Sequence, residues 1–255
     1  MKYKEILEQN RTFILERPVH NVTTFIYITS CTNMEVVFDQ KFSDTLDKLR
    51  EITNLIFIFN KSRKSEFNFR NFATLYRASG YIESNHDHIV QSVYYALSYF
   101  RVLYERHTGY LLFDSTSLRK IDPEKIRSIV YNGALTASVF KKERMSLDYL
   151  KSLIFIKNTE KLSFWDRVKG KVEQKYTCGM YSRYITTLDN YCIYLRPAFV
   201  DQMREFLESP ECPKYFLESF YNTGCPEDFI PSIAEYLPGD KAKVLDLEIQ
   251  KIDLR

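Results

Sequence analysis

With 255 residues, 45% apolar and 27% charged, the chain can bury a core, and its composition is not that of a disordered polymer. Only seven glycines occur, with neither GxGxxG nor GxxxxGK[ST], so the usual dinucleotide and P-loop readings lose their support, and a net charge of +3 is too mild for non-specific nucleic-acid binding. Five cysteines (Cys31, Cys178, Cys192, Cys212, Cys225) without CxxC spacing argue against a zinc site and a disulfide framework and for reduced thiols.

In chain order, Met1–Arg17 reads as a helix stopped by Pro18. Val22–Cys31 is β-branched and aromatic, a strand whose near-continuous apolarity predicts burial on both faces. A helix over Glu35–Thr53 carries Val37, Phe38, Phe42, Leu46 and Leu49 at helical spacing, and Asn54–Asn60 is a second buried strand. Strand, helix, strand is the pattern of a parallel crossover unit. Lys61–Glu66 is a polar loop, and Phe67–Ala78 fits a short helix or an irregular segment equally well. Asn85 is placed to cap a long helix over His86–His107, and Gly109–Phe113 is a third strand running into Asp114-Ser115-Thr116.

Ile121-Asp122-Pro123-Glu124 starts another helix, with Asp as cap and Pro in the first turn. Strands are expected at Tyr131–Phe140, Leu153–Ile156, Tyr176–Ile185 and Tyr191–Leu195, with a helix at Ser146–Leu153 and a basic loop over Asn158–Lys175. Helices follow at Pro197–Leu207, Pro213–Phe220 and Pro226–Leu237, and an alternating strand at Val244–Ile252. The start of the chain has a basic flank without a signal-peptide core, and every apolar run stops well short of ~20 residues. A cytoplasmic protein with no transmembrane segment is the expectation.

Three groups of residues could carry chemistry. Asp114 leaves a buried strand at its carboxyl end, where open α/β sheets bind ligands; Asp and Ser there also suit an ordinary turn. Glu227-Asp228 follow Cys225-Pro226 at a helix start, where acids complement the helix dipole and where a carboxylate could equally serve as a general base. Lys241 and Lys243, after Pro238-Gly239-Asp240, could meet phosphate charge, as could Arg183 or Arg196. Asn85-His86-Asp87-His88 reads as a capped helix start rather than a metal site, because i and i+2 on a helix point apart. The many tyrosines at helical and strand spacing read as core.

The order of elements from His20 to Arg255, with Asp114 at a strand end and the late Glu227-Asp228 pair, resembles the GT-A glycosyltransferases. That family carries Asp-x-Asp at the end of a central strand, and here Thr116 stands at the second acid's position. The resemblance implies a three-layer, mainly parallel α/β/α sheet in one domain: an N-terminal helix (1–18), a nucleotide-binding half (19–140) and an acceptor half (141–255). It also implies transfer of a sugar from a nucleotide-sugar donor to a glycan or other hydroxyl acceptor. Thr29, Ser30 and Asn60 would border the nucleotide, Asp114 and Thr116 the diphosphate, and Glu227 or Asp228 would be the base. Donor charge would be met either by Mn2+ or Mg2+ on Asp114 or, without metal, by Lys241 and Lys243. The other reading open at this stage is a non-catalytic module on such a scaffold, binding a protein or nucleic acid.

Overall fold

Runs that are apolar on both sides of the pleat must lie between two layers. Val22–Tyr27 and Asn54–Phe59 are buried at every position. The computed structural model describes residues 8–28, 40–60, 68–85, 89–115, 126–127, 136–144, 184–222, 229–230 and 233, and it makes those two runs neighbours in one seven-stranded sheet. The strands are β1 (Asn10–Ile14), β2 (Val22–Tyr27), β3 (Asn54–Asn60), β4 (Gly80–Ser84), β5 (Gly109–Asp114), β6 (Thr136–Arg144) and β7 (Tyr184–Leu195). The helices are α1 (Gln40–Arg50), α2 (Phe69–Leu75), α3 (Ile89–Leu103), α4 (Pro197–Glu208) and α5 (Lys214–Asn222).

Across the sheet the order is β1-β4-β3-β2-β5-β7-β6. β4, β3, β2 and β5 form a parallel centre. β1 joins it antiparallel on β4, and β7 runs antiparallel to both β5 and β6. The sheet is therefore mixed, which corrects the expectation of a mainly parallel one. A strand's direction is set by its connections and not by its composition, so the apolar runs could not reveal it.

Side chains alternate along each strand, and the two faces are covered by different helices. Leu55, Phe57 and Phe59 of β3 meet Phe42, Leu46 and Leu49 of α1 and Phe72 and Ala73 of α2. Ile56 and Ile58 meet Val93, Leu97 and Phe100 of α3, in a cluster that also holds Val200 and Met203 of α4 and Phe216 and Phe220 of α5. Full burial of one Phe stabilises by roughly 1.5–3 kcal/mol. The described phenylalanines Phe25, Phe57, Phe59, Phe100 and Phe113 are all buried, so aromatic content here serves the interior.

Two further expectations need correction. The helix expected to Arg17 gives way at Asn10 to β1. Phe13 stacks on Tyr81 across the ladder, with ring centroids 4.7 Å apart and 12° between planes. Cross-strand aromatic pairs of this kind outweigh weak helical periodicity. Gly80 permits the approach, because a Cβ there would meet the Phe13 carbonyl oxygen at 2.4 Å. β4 itself was not expected; its Gly-Tyr-Ile-Glu-Ser is too short to show a period. Ile185, where the first of the two late runs ends, and Tyr191–Leu195 lie in a single strand, β7, and 176–183 lie outside the described residues. Phe67–Ala78 resolves as α2, capped by the Asn68 side chain accepting from the Asn71 N–H at 3.0 Å. Pro197 opens α4 as its position predicts. Ser146–Leu153, Leu153–Ile156, Asn158–Lys175 and Val244–Ile252 lie outside the described residues.

Two local features hold the amino ends of the parallel strands. Buried Asn54 accepts on Oδ1 from the N–H groups of Val19 (2.8 Å) and His20 (2.9 Å), and donates from Nδ2 to the carbonyls of His20 (2.7 Å) and Val22 (3.1 Å). One amide thus satisfies the backbone of the segment that leads into β2. After α2, Arg77 takes φ 48, with its N–H bonded to the Thr74 carbonyl and that of Ala78 to the Ala73 carbonyl. This is a Schellman termination, with arginine where glycine is the low-cost residue.

Asn54→Ala strands the Val19 and His20 N–H groups and the carbonyls they accompany, so chemical denaturation should show a loss of about 3 kcal/mol. Arg77→Gly should act in the opposite direction. It relieves a left-handed side chain and should raise stability by about 1 kcal/mol, read as a higher denaturant midpoint at unchanged m.

Candidate functional site

Ligands of open α/β sheets bind beyond the carboxyl ends of parallel strands, where the order reverses, because the connections on either side diverge there and leave a crevice. From β2 the chain adds β3 and β4 to one side, then returns through α3 to place β5 on the other. The reversal lies between β2 and β5. At its carboxyl end Tyr27 and Asp114 are register partners, and the Ser115 N–H donates to the Tyr27 carbonyl at 3.1 Å. On the other side of β2 the Ile28 N–H donates to the Ile58 carbonyl at 3.0 Å.

Two of the sequence-nominated residues therefore stand on this edge. Asp114 ends β5 beside β2, and half-buried Asn60 ends β3, in register with Ser84 of β4. Thr29, Ser30, Thr116, Glu227, Asp228, Lys241 and Lys243 lie outside the described residues. The chain leaves the described residues at Ile28 and at Ser115, both at this edge. β4 adds edge residues that the sequence reading missed: Ser84, whose Oγ accepts from the Ser92 hydroxyl at 2.6 Å and so ties β4 to α3, and exposed Asn85. Tyr81-Ile82 after Gly80 was the available signal, a β-prone pair.

Immediately after the acidic pair, Phe229 and Ile230 are helical and buried. They close over Val90, Val93, Tyr94 and Leu97 of α3 and Met203 of α4. Phe229 also packs on Phe220, with centroids 5.5 Å apart. The gap left among these side chains is about 10 Å3, water-sized and apolar, which makes it packing and not a ligand site. Because α3 starts from the carboxyl end of β4 and runs back toward the amino end of β5, Val90 and Val93 belong to its carboxyl-edge half. Farther down, Arg101 clamps α4 through a two-pronged pair with Asp201, at 2.9 to 3.1 Å.

Among the described residues no three His, Cys, Asp or Glu stand together as a metal set. Asp114 is followed by Ser115 and Thr116 in place of a second acid, and one carboxylate with a hydroxyl holds Mg2+ or Mn2+ weakly.

Among the described residues the strongest electrostatic perturbations lie at the opposite end of the sheet. His107 is stacked on Tyr104 (5.0 Å) and Phe100 (6.5 Å) and meets the edge of Tyr110 (5.8 Å). Burial lowers its pKa to about 4, and burial pushes the Tyr110 hydroxyl up. His107 Nδ1 and Tyr110 Oη hydrogen-bond to no described group. Perturbed groups mark functional sites when they face a cleft; these face an aromatic interior, so their role is structural.

The sign of the His107 effect follows from its depressed folded pKa. Above the unfolded value of about 6.5 both states are neutral; between about 6.5 and 4 only the unfolded chain binds the proton, so stability falls as pH falls through that window. The loss should reach about 3 kcal/mol near pH 4, and His107→Phe should lose less over the same range, as measured by denaturation from pH 7 to 4. No protein-family model matches the chain, and no curated protein matches it closely enough to count as a relative.

Proposed function

We propose that this protein is a GT-A-like transferase that moves a sugar from a nucleotide-sugar donor to a hydroxyl acceptor. The observation that supports this best is the position of Asp114 at the carboxyl end of β5, paired with the end of β2 where the strand order reverses. That is the place where a doubly wound sheet receives a nucleotide. On this reading the nucleotide lies along the ends of β2 and β3, bordered by Asn60 and by Thr29 and Ser30, which follow β2. The diphosphate lies by Asp114 and Thr116, and Lys241 and Lys243 meet its charge, since the local donor set suits cations of the chain better than a metal.

Glu227 or Asp228 is the base. It takes the proton from the acceptor hydroxyl as that oxygen bonds to the anomeric carbon, and the bond from that carbon to the diphosphate breaks with its electron pair leaving on the phosphate. The anchoring of Phe229 and Ile230 against the carboxyl-edge half of α3 supports placing the acidic pair on the crevice side. A second reading, a non-catalytic module on the same scaffold, is favoured by one feature: Thr116 where the family has its second acid.

The test is a thermal-shift screen of the full chain against UDP-, GDP-, CMP- and dTDP-sugars, with Mn2+ and with EDTA. One donor should stabilise by about 2.7 kcal/mol at a hundredfold excess over its Kd, with EDTA making no difference. Of Glu227→Ala and Asp228→Ala, one should abolish transfer while keeping the donor shift. Donor binding without turnover in the wild type also fits the non-catalytic module, and no shift with any donor sinks the transferase reading and leaves the module that binds a protein or nucleic acid.

A further inference from the structure

The opposite, amino edge of the sheet has a composition that the fold does not need. Three of the connections that cross it stand out. Leu15 and Glu16 donate their N–H groups to the Ser79 carbonyl just before β4, and Val19 and His20 donate to Asn54 at the start of β3. The segment from β1 to β2 therefore runs beneath the starts of β4 and β3. The end of α2, at Leu75 and Arg77, and the end of α3, at Val102 to Arg106, reach the same edge from the two helical layers.

Each connection sets an exposed aliphatic beside an exposed arginine. Val19 (81% exposed) lies two residues from Arg17, Leu75 (62%) two from Arg77, and Val102 (63%) and Leu103 lie within four of Arg106. The Thr108 N–H bonds the Asn21 carbonyl at 2.7 Å and the Arg17 charge acts on the Tyr104 hydroxyl, so the first and third connections adjoin. Arg77 holds its left-handed backbone at a position where glycine would relieve strain, and its side chain is exposed at this edge.

We propose that this amino edge docks on an anionic phospholipid surface, its aliphatic tips inserted among the acyl-chain boundaries and Arg17, Arg77 and Arg106 bonded to the phosphates. A folded protein partner would need a contiguous apolar patch or groove to exclude water. Here the aliphatic tips stand on three connections with arginines between them. A fluid interface admits such tips one by one, and guanidinium matches phosphate with two parallel hydrogen bonds. Glu16 and Glu105 share these turns with Arg17, Arg77 and Arg106, a net charge of +1, and at the end of α1 Asp47 and Glu51 are matched by Arg50 and Arg127, so apolar insertion supplies most of the affinity and salt weakens binding without abolishing it. Docked this way, the carboxyl-edge crevice faces away from the bilayer and stays open.

The experiment is co-sedimentation of the full chain with vesicles of phosphatidylcholine alone and with about a quarter phosphatidylserine. The wild type should pellet with the anionic vesicles. Val19→Asp combined with Leu103→Asp should lower the partition coefficient about a hundredfold, roughly tenfold for each buried aliphatic. Arg17→Gln with Arg106→Gln should remove the preference for anionic over neutral vesicles, while Glu205→Gln, exposed on α4, changes nothing. All these side chains are outside the core, and far-UV circular dichroism should confirm an unchanged fold. Wild-type protein left in the supernatant, equal binding to neutral vesicles, or Val19→Asp with Leu103→Asp binding as wild type each overturns the proposal. None of these readouts depends on the nucleotide-sugar reading.

Discussion

The structure depends on one constraint: β2, β3 and β5 are apolar on both sides of the pleat and must be covered on both. Parallel strands are joined by crossovers of one hand. A chain that kept adding strands in one direction would stack every helix on the same face. Covering the second face requires the direction to reverse, and it does so between β4 and β5, placing α3 opposite α1 and α2. The reversal that completes the core also sets the ends of β2 and β5 side by side, the place where open α/β sheets bind ligands. Burial and the candidate site thus have a single origin.

The two ends of the sheet then diverge in character. At the amino ends, two buried groups are tied by local bonds: Asn54 binds four backbone groups, and Thr24 and Thr53 join their hydroxyls at 2.7 Å. His107 and Tyr110 sit in an aromatic interior where desolvation alone accounts for the lowered histidine pKa. These are devices that hold strand starts in place. At the carboxyl ends, by contrast, Asp114 and Asn60 stand where the chain departs into connecting segments, and the strands supply a rigid base for whatever those segments bind.

How far the sequence was legible follows from the same physics. β2, β3 and β5 showed as runs too apolar to face water, and α1, α3, α4 and α5 as stripes at helical spacing, because burial writes itself into composition. β1 and β4 are five residues each, and their pairing rests on a contact between Phe13 and Tyr81 that lies far apart in sequence. No local window contains that contact. Asp114 was recognisable because a strand signal ended on it. Ser84 was not, because the strand that carries it gave too short a signal, and Asn85 was read only as a helix cap.

The sequence by itself determined that the chain builds an α/β core, which segments supply its buried strands and long helices, and where Pro197 starts its helix, since each follows from side-chain volume, period or backbone stereochemistry acting within a few residues. Only the tertiary structure decided that the sheet is mixed, that β5 returns to the far side of β2, and that Asp114 and Asn60 share one edge while Val19, Leu75 and Leu103 share the other. Strand direction and neighbour choice depend on how whole layers pack, and that free energy belongs to contacts between distant segments, not to any residue's immediate neighbours.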